Sequence, residues 1–371
     1  MKFLFTCGGT AGHINPALGV AGRLRELLPD SEFLFIGAKG RMEMELVPRE
    51  GFAIRGIEID NLSRSLSLSG LRHNLHTARL LLHSNREARA ILNEFQPDVA
   101  VGTGGYVCFP ALRAAHALGV PTLVHESNAT PGLTTRLLSR SVDCVLVGFE
   151  QAAENYPKGA RVRCTGTPVR GDFERLDRAE ARRRLGLDPE RPLVVSIWGS
   201  LGSDHINALM PEFLTLAGER RGFDVIHSAG KRGYPRLRDA VGGPASLKAR
   251  GIDLREYIYD MPAVMAAADL VMCRSGASTL AELAVLGKPA LLVPSPNVTG
   301  HQQEKNAALL ERAGAARVLQ EGRFDAKSLY ETAESMLKDK AALEQMSEAM
   351  RSSGNPNATE DICNLILDYE K

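Results

Sequence analysis

An α/β fold of two Rossmann-like halves, each a doubly wound parallel sheet, is predicted by three observations. The chain has 371 residues, more than one hydrophobic core usually serves, so two domains are expected. Short β-rich runs alternate with longer helical patterns along almost the whole length, and several of the runs are apolar throughout. That is the mark of parallel strands covered on both faces. Finally, a strand leading into a glycine turn and a helix occurs at the head of each half. These openings are Phe5-Thr6-Cys7-Gly8-Gly9-Thr10-Ala11-Gly12-His13 and Ser196-Ile197-Trp198-Gly199-Ser200-Leu201-Gly202-Ser203.

The elements follow in order. Strands are expected in the first half at 3–7, 32–36, 53–59, 99–102, 122–125 and 144–147, and in the second at 193–198, 224–229, 253–258, 270–273 and 290–294. The stretch 170–191 is charge-dense and weakly apolar, which suits a junction, so the domains are placed at 1–166 and 167–344. The final stretch reads as helix. The sequence leaves open whether about 345–371 stays with the second domain or packs back on the first.

Composition narrows the function. Apolar residues are 44% and charged residues 24%, an ordinary globular balance. A net charge of +1 gives no global attraction to nucleic acid. The six cysteines stand far apart with no C-x-x-C pair, so buried free thiols in a reducing compartment are expected, not a zinc cluster. Met1-Lys2-Phe3-Leu4-Phe5 is too short for a signal-peptide core, and no run reaches the eighteen or so apolar residues of a membrane span. Work at a membrane would be done from its surface.

Three glycine turns carry the first chemical signal: Gly8-Gly9-Thr10-Ala11-Gly12-His13, Gly102-Thr103-Gly104-Gly105-Tyr106 and Gly199-Ser200-Leu201-Gly202. Beyond a strand's carboxyl end, such turns let backbone N–H groups approach a phosphate, and the next helix start adds positive potential. Each is also the ordinary way to turn tightly. Neither G-x-G-x-x-G nor G-x-x-x-x-G-K-[ST] occurs there, which disfavours a dehydrogenase or P-loop NTPase. His13 reads as a turn residue or as a base at the site edge. His125-Glu126-Ser127-Asn128 is a polar group at a strand end, and it reads as a capped loop or as part of a site.

The segment Arg274-Ser275-Gly276-Ala277-Ser278-Thr279-Leu280-Ala281-Glu282 starts a helix with small residues suited to phosphate. Glu282 lies four residues after Ser278 and three after Thr279, on their face. A carboxylate there can accept from both hydroxyls of a ribose, each such bond contributing about 1.5–3 kcal/mol. Further on, Gln302 and Gln303 in a polar loop suit sugar hydroxyls or plain solvent.

Taken together these motifs resemble the MurG family of bacterial peptidoglycan N-acetylglucosaminyltransferases, which convert lipid I to lipid II. The resemblance also rests on Ala129-Thr130-Pro131-Gly132, Gly166-Thr167-Pro168-Val169-Arg170 and Gln302-Gln303-Glu304-Lys305-Asn306-Ala307, and it covers essentially the whole chain. It implies the GT-B fold, two Rossmann-like domains facing across a cleft, with UDP-GlcNAc as donor and no resident cofactor. The backbone of Ile258 would read the uracil and Glu282 the ribose. Ser200, Ala277, Ser278 and Thr279 would meet the diphosphate, with Arg170 nearby, and Leu280 and Ala281 would also belong to the UDP-GlcNAc site. Gln302, Gln303 and Asn128 would contact GlcNAc, close to Thr10, Ala11 and Gly12. Gly9, Thr10, Gly12, Gly104, Gly105 and Tyr106 would meet the acceptor pyrophosphate. His13 is the candidate base and Glu126 the second. The chain departs from the pattern in the third turn, which usually reads Gly-Gly-Ser-x-Gly-Ala: Trp198 replaces the first glycine and Ser203 the alanine. Ser127 stands where glutamine is common.

The implied reaction is inverting transfer to the 4-hydroxyl of the acceptor's MurNAc. No D-x-D pair occurs, so no essential metal is expected. The lipid-linked acceptor requires a bilayer, placing the protein at the cytoplasmic face of the cell membrane, with divisome or elongasome proteins as further partners. Residues 61–91 hold eight leucines, five arginines and one acid, Glu87. Leu71, Leu75 and Leu82 fit one helical face, which a core helix would explain. Leu62, Leu66 and Leu68 sit among serines and are harder to bury, so residues 62–86 are expected to touch anionic lipid. The rival readings are a glycolipid synthase acting on diacylglycerol, a UDP-GlcNAc 2-epimerase and a non-enzymatic UDP-sugar sensor.

Overall fold

The computed structural model describes residues 1–60, 68–173, 176–199 and 202–369. They form two compact units: Met1–Gly171 with Asn357–Lys371, and Asp172–Pro356. The junction thus lies five residues beyond the expected one.

The first unit holds seven parallel strands: β1 (Lys2–Thr6), β2 (Glu32–Ala38), β3 (Ala53–Ile57), β4 (Val99–Gly102), β5 (Thr122–Glu126), β6 (Cys144–Val147) and β7 (Val162–Cys164). Their order is β3-β2-β1-β4-β5-β6-β7. Phe3 and Phe5 point to one face, under the helix Ala11–Leu27, and Leu4 to the other, with Leu112 of the helix Cys108–Ala117. Both faces are apolar, which is why β1 reads as a continuous run. Parallel register sets Phe3 against Phe33 and Phe5 against Phe35, and their rings stack at 5.3 and 5.2 Å. Burying one such ring contributes about 1.5–3 kcal/mol.

The second unit holds β8 (Leu193–Ile197), β9 (Asp224–Ser228), β10 (Ile252–Arg255), β11 (Leu270–Cys273), β12 (Ala290–Leu292) and β13 (Ala316–Val318), ordered β10-β9-β8-β11-β12-β13 and all parallel. Sequence patterning missed β7 and β13. Each is a three-residue strand at a sheet edge, too short to show a period. The polar stretch after β12, expected to be all loop, becomes helical at Gln302–Arg312.

Strand order reverses direction once in each sheet, between β1 and β4 and between β8 and β11. In open α/β sheets, ligands bind at such switch points beyond the carboxyl ends of the strands. The register pairs Thr6 with Gly102 and Ile197 with Cys273. It therefore lays the first glycine turn beside the second, and the end of β8 beside the start of the Arg274–Thr279 segment.

The tail divides between the units. The helix Lys340–Ser352 stays with the second, where Ser347 Oγ donates to Gly287 O at 2.7 Å. The helix Ala358–Leu367 packs on the helix Ala11–Leu27 of the first. Arg23 there holds Glu360 at 2.7 Å, and Thr359 Oγ1 donates to Val169 O at 2.7 Å.

Candidate functional site

At the first switch point the two glycine turns interlock. Gly8 N–H donates to Gly104 O at 3.3 Å, and a Cβ on Gly105 would stand 2.3 Å from Gly8 O. Gly104 and Gly105 have φ of +110° and +89°, where side chains are strained. His13 sits in the first turn of its helix, with its Nδ1 3.0 Å from Gly8 O and 3.3 Å from Thr10 Oγ1. A carbonyl can only accept, so in the neutral ring Nδ1 carries the proton and Nε2 keeps its lone pair. The Nε2 edge lies against Gly104, where a Cβ would stand 3.0 Å from Nε2 and 2.6 Å from Cδ2.

Gly9 is held within the chain by a carboxylate. Its N–H donates to Glu43 Oε2 at 3.2 Å, while Ala38 N–H donates to Oε1 at 3.0 Å. Glu43, the first residue of the helix Glu43–Arg49 that follows β2, is fully buried and braces the turn. Sequence reasoning missed it, because Arg41-Met42-Glu43-Met44-Glu45 looks like any charged surface segment. Tyr106 is half-buried, and its hydroxyl is buried without a hydrogen-bond partner among the described residues.

Glu126 ends β5 and is 5% exposed. Oε1 accepts from Asn128 N–H at 3.1 Å and Asn128 Nδ2 at 3.0 Å, and Oε2 from Gly132 N–H at 2.8 Å and Thr135 Oγ1 at 2.6 Å. Four donors fill the carboxylate and hold the loop 127–135. His125 is buried, its Nε2 donating to Gly166 O at 2.9 Å, and burial lowers its pKa. It stays neutral at physiological pH. Arg170 belongs to the first unit and pairs with Glu50 at 3.3 Å.

At the second switch point, Gly276 caps the helix Ala277–Leu286. Ser278, Thr279, Ala281 and Glu282 are half-buried on its accessible side. Ala277 and Leu280 are buried, so only their backbone can meet a ligand. Ser275 is buried too, its Oγ donating to Gln303 O at 2.8 Å. Gln303 Oε1 accepts from Ser295 N–H at 2.8 Å, which commits that oxygen to the loop and leaves the amide donors. Gln302 begins the same helix, and Ile258 is buried after β10. Ser200 lies outside the described residues. Trp198 is 3% exposed and packs into the core.

The remaining expectations divide. Five cysteines are buried and free, but Cys164, on the edge strand β7, is exposed. Leu62, Arg64 and Leu66, and the side chains of Leu68, Leu71, Arg72, Leu75 and Arg79, lie outside the described residues. Within the helix Leu68–Phe95, Leu82 is 69% exposed, while Ser84, Ala88 and Leu92 face the core. Among the described residues no helix is long and apolar enough to cross a membrane.

Comparison with known proteins follows this geometry. Residues 3–147 match the glycosyltransferase family 28 N-terminal domain, and residues 193–362 the glycosyltransferase family 28 C-terminal domain. The UDP-N-acetylglucosamine–N-acetylmuramyl-(pentapeptide) pyrophosphoryl-undecaprenol N-acetylglucosamine transferase of Acetivibrio thermocellus is 41% identical over 100% of this chain and 99% of its own. Its counterpart in Caldanaerobacter subterraneus is 40% identical over 99% of each chain. The crystal structure of Acinetobacter baumannii MurG is 27% identical and covers 99% of both chains with a TM-score of 0.75. A putative UDP-N-acetylglucosamine 2-epimerase of Listeria monocytogenes, at 14% identity and a TM-score of 0.66 over 99% of this chain and 96% of its own, shares the fold alone. The chain has the GT-B fold and is a UDP-GlcNAc-dependent N-acetylglucosaminyltransferase. It belongs to glycosyltransferase family 28 and, within it, to the MurG family of peptidoglycan N-acetylglucosaminyltransferases.

Proposed function

We propose that the chain transfers GlcNAc from UDP-GlcNAc to the 4-hydroxyl of MurNAc in undecaprenyl-pyrophosphoryl-MurNAc-pentapeptide, by one inverting displacement with His13 as the base. The observation that carries the assignment is the pair Nδ1–Gly8 O at 3.0 Å, which leaves Nε2 as the ring's acceptor. His13 Nε2 takes the hydroxyl proton as the C–O bond forms, a contribution of roughly 10²–10⁴-fold. Glu126 acts through the loop that it holds and takes no proton. Charge grows on the departing UDP, where the start of the helix Ala277–Leu286 supplies N–H groups and positive potential. That supply supports turnover without a divalent ion, and a chelator should leave the rate unchanged. Glu282 accepts from the ribose, Ile258 meets the uracil through its backbone, and the amide donors of Gln302 and Gln303 meet GlcNAc. Arg170, paired with Glu50 in an exposed contact worth about 0–1 kcal/mol, is a further cation offered to the diphosphate.

The lipid-linked acceptor is reached from the membrane surface. Leu82, Arg86 and Arg89 are exposed at helical spacing, as are Leu133, Arg136, Leu137 and Arg140. Both faces belong to the first unit and join apolar to basic groups, which suits anionic headgroups at about 1 kcal/mol per arginine. The deciding experiment is transfer of labelled GlcNAc to a short-chain lipid I analogue. The native chain should make the disaccharide lipid, His13→Ala should lose kcat, and Glu282→Ala should lose donor affinity. Donor binding without transfer would refute the acceptor assignment.

A further inference from the structure

Trp198, Ser203 and Arg274 form one assembly at the switch point of the second sheet. Trp198 Nε1–H donates to Ser196 Oγ at 2.8 Å. Ser196 Oγ lies 2.9 Å from His227 Nδ1, His227 Nε2 lies 3.3 Å from Asn207 Oδ1, and Asn207 Nδ2 donates to Ala229 O at 2.8 Å. One placement of protons satisfies the whole row: indole to serine, serine hydroxyl to Nδ1, Nε2–H to the asparagine carbonyl. The indole is thereby locked in orientation as well as buried.

Arg274, the first residue after β11, lies across that indole with its guanidinium carbon 5.8 Å from the ring centroid. One terminal nitrogen donates to Val293 O at 3.0 Å and to Glu321, and the other to Ser203 Oγ at 2.7 Å. Ser203 is the last residue of the third glycine turn and caps the helix Asp204–Arg220. A single guanidinium thus ties the turn after β8 to the turn after β11. In the pattern that this chain otherwise resembles, position 198 is glycine and position 203 alanine. Both departures end on Arg274, one offering an aromatic face and the other an acceptor.

We propose that Trp198 and Ser203 act as a coupled pair that positions Arg274, and that Arg274 sets the spacing of the two turns that hold the donor diphosphate. This rests on the donor site proposed above. Arg274 is a positioning residue, since both terminal nitrogens are committed to protein acceptors.

The test is UDP titration by calorimetry on the full chain, with KM for UDP-GlcNAc and kcat on the lipid I analogue. S203A should weaken UDP binding and raise KM about tenfold, the value of one hydrogen bond to a charged donor, with kcat within about twofold. S203T and W198F, which keep the hydroxyl and the ring face, should stay within about twofold of native. In a W198G background, S203A should add less than about twofold, because Arg274 is already released. W198G opens a cavity. If it does not fold, R274K takes its place, and S203A should again add nothing. Multiplying losses, or S203A with native UDP affinity, would overturn the coupling while leaving the donor site intact. A native chain that binds no UDP would overturn the donor site and the inference with it.

Discussion

Replacing Glu126 by glutamine changes little in shape and separates a structural carboxylate from a catalytic one. The native carboxylate accepts from two fixed backbone donors, Asn128 N–H on Oε1 and Gly132 N–H on Oε2. A glutamine presents one oxygen and one NH₂. In either orientation the NH₂ faces one of those backbone donors, leaving a buried N–H without an acceptor. Thr135 Oγ1 can turn its proton toward Gly132 O, 3.1 Å away, but a backbone N–H cannot turn. Losing one charged hydrogen bond and orphaning one donor costs about 2–4 kcal/mol. At about 2–4 °C per kcal/mol for a domain of this size, the first unit should melt about 4–16 °C lower. Scanning calorimetry reads that shift, and transfer assays well below the melting point read kcat. The expected result is a clear loss of stability with a modest loss of rate. Native melting with kcat reduced about 10²–10⁴-fold would refute the reasoning and make Glu126 the base.

Other outcomes follow from the same geometry. Gly104→Ala places a methyl group 2.6 Å from His13 Cδ2 at φ +110°. It should lower kcat by up to about 10²-fold, no further than His13→Ala, while UDP affinity in the second unit is unchanged. Equal activity of G104A and native protein would show that the close approach of Gly104 to the His13 ring does not matter. His227 is buried and desolvation lowers its pKa to about 3, so the folded state keeps it neutral. An unfolded histidine takes up a proton near ~6.5. Stability from this group is therefore complete above ~6.5 and falls as pH drops toward ~3, by at most about 5 kcal/mol. Urea melts across that window should show the loss, and H227Q should flatten it; an unchanged slope in H227Q would contradict the assignment.

The motifs carried most of the fold and the identity of the family. Continuous apolar runs marked the interior strands, and glycine turns marked their ends, because both are local demands of a parallel sheet. Three-residue edge strands left no such trace. A site was legible as a placement wherever spacing sets one residue beside another, as with Glu282, half-buried on the same helix as Ser278 and Thr279.

Local residue pattern therefore fixed the elements, the turns and the residues offered to a ligand. Tertiary structure alone decided which turns stand together, because the order of strands is a long-range choice. It set Gly104 against His13, 91 positions earlier in the chain. It also gave Glu126 four donors and sent Gly9 to a glutamate that looked like a surface residue. Spacing can place a carboxylate on a helix or a strand end. Whether that carboxylate is free to act depends on donors brought to it by folding, and burial makes each of those bonds costly to lose.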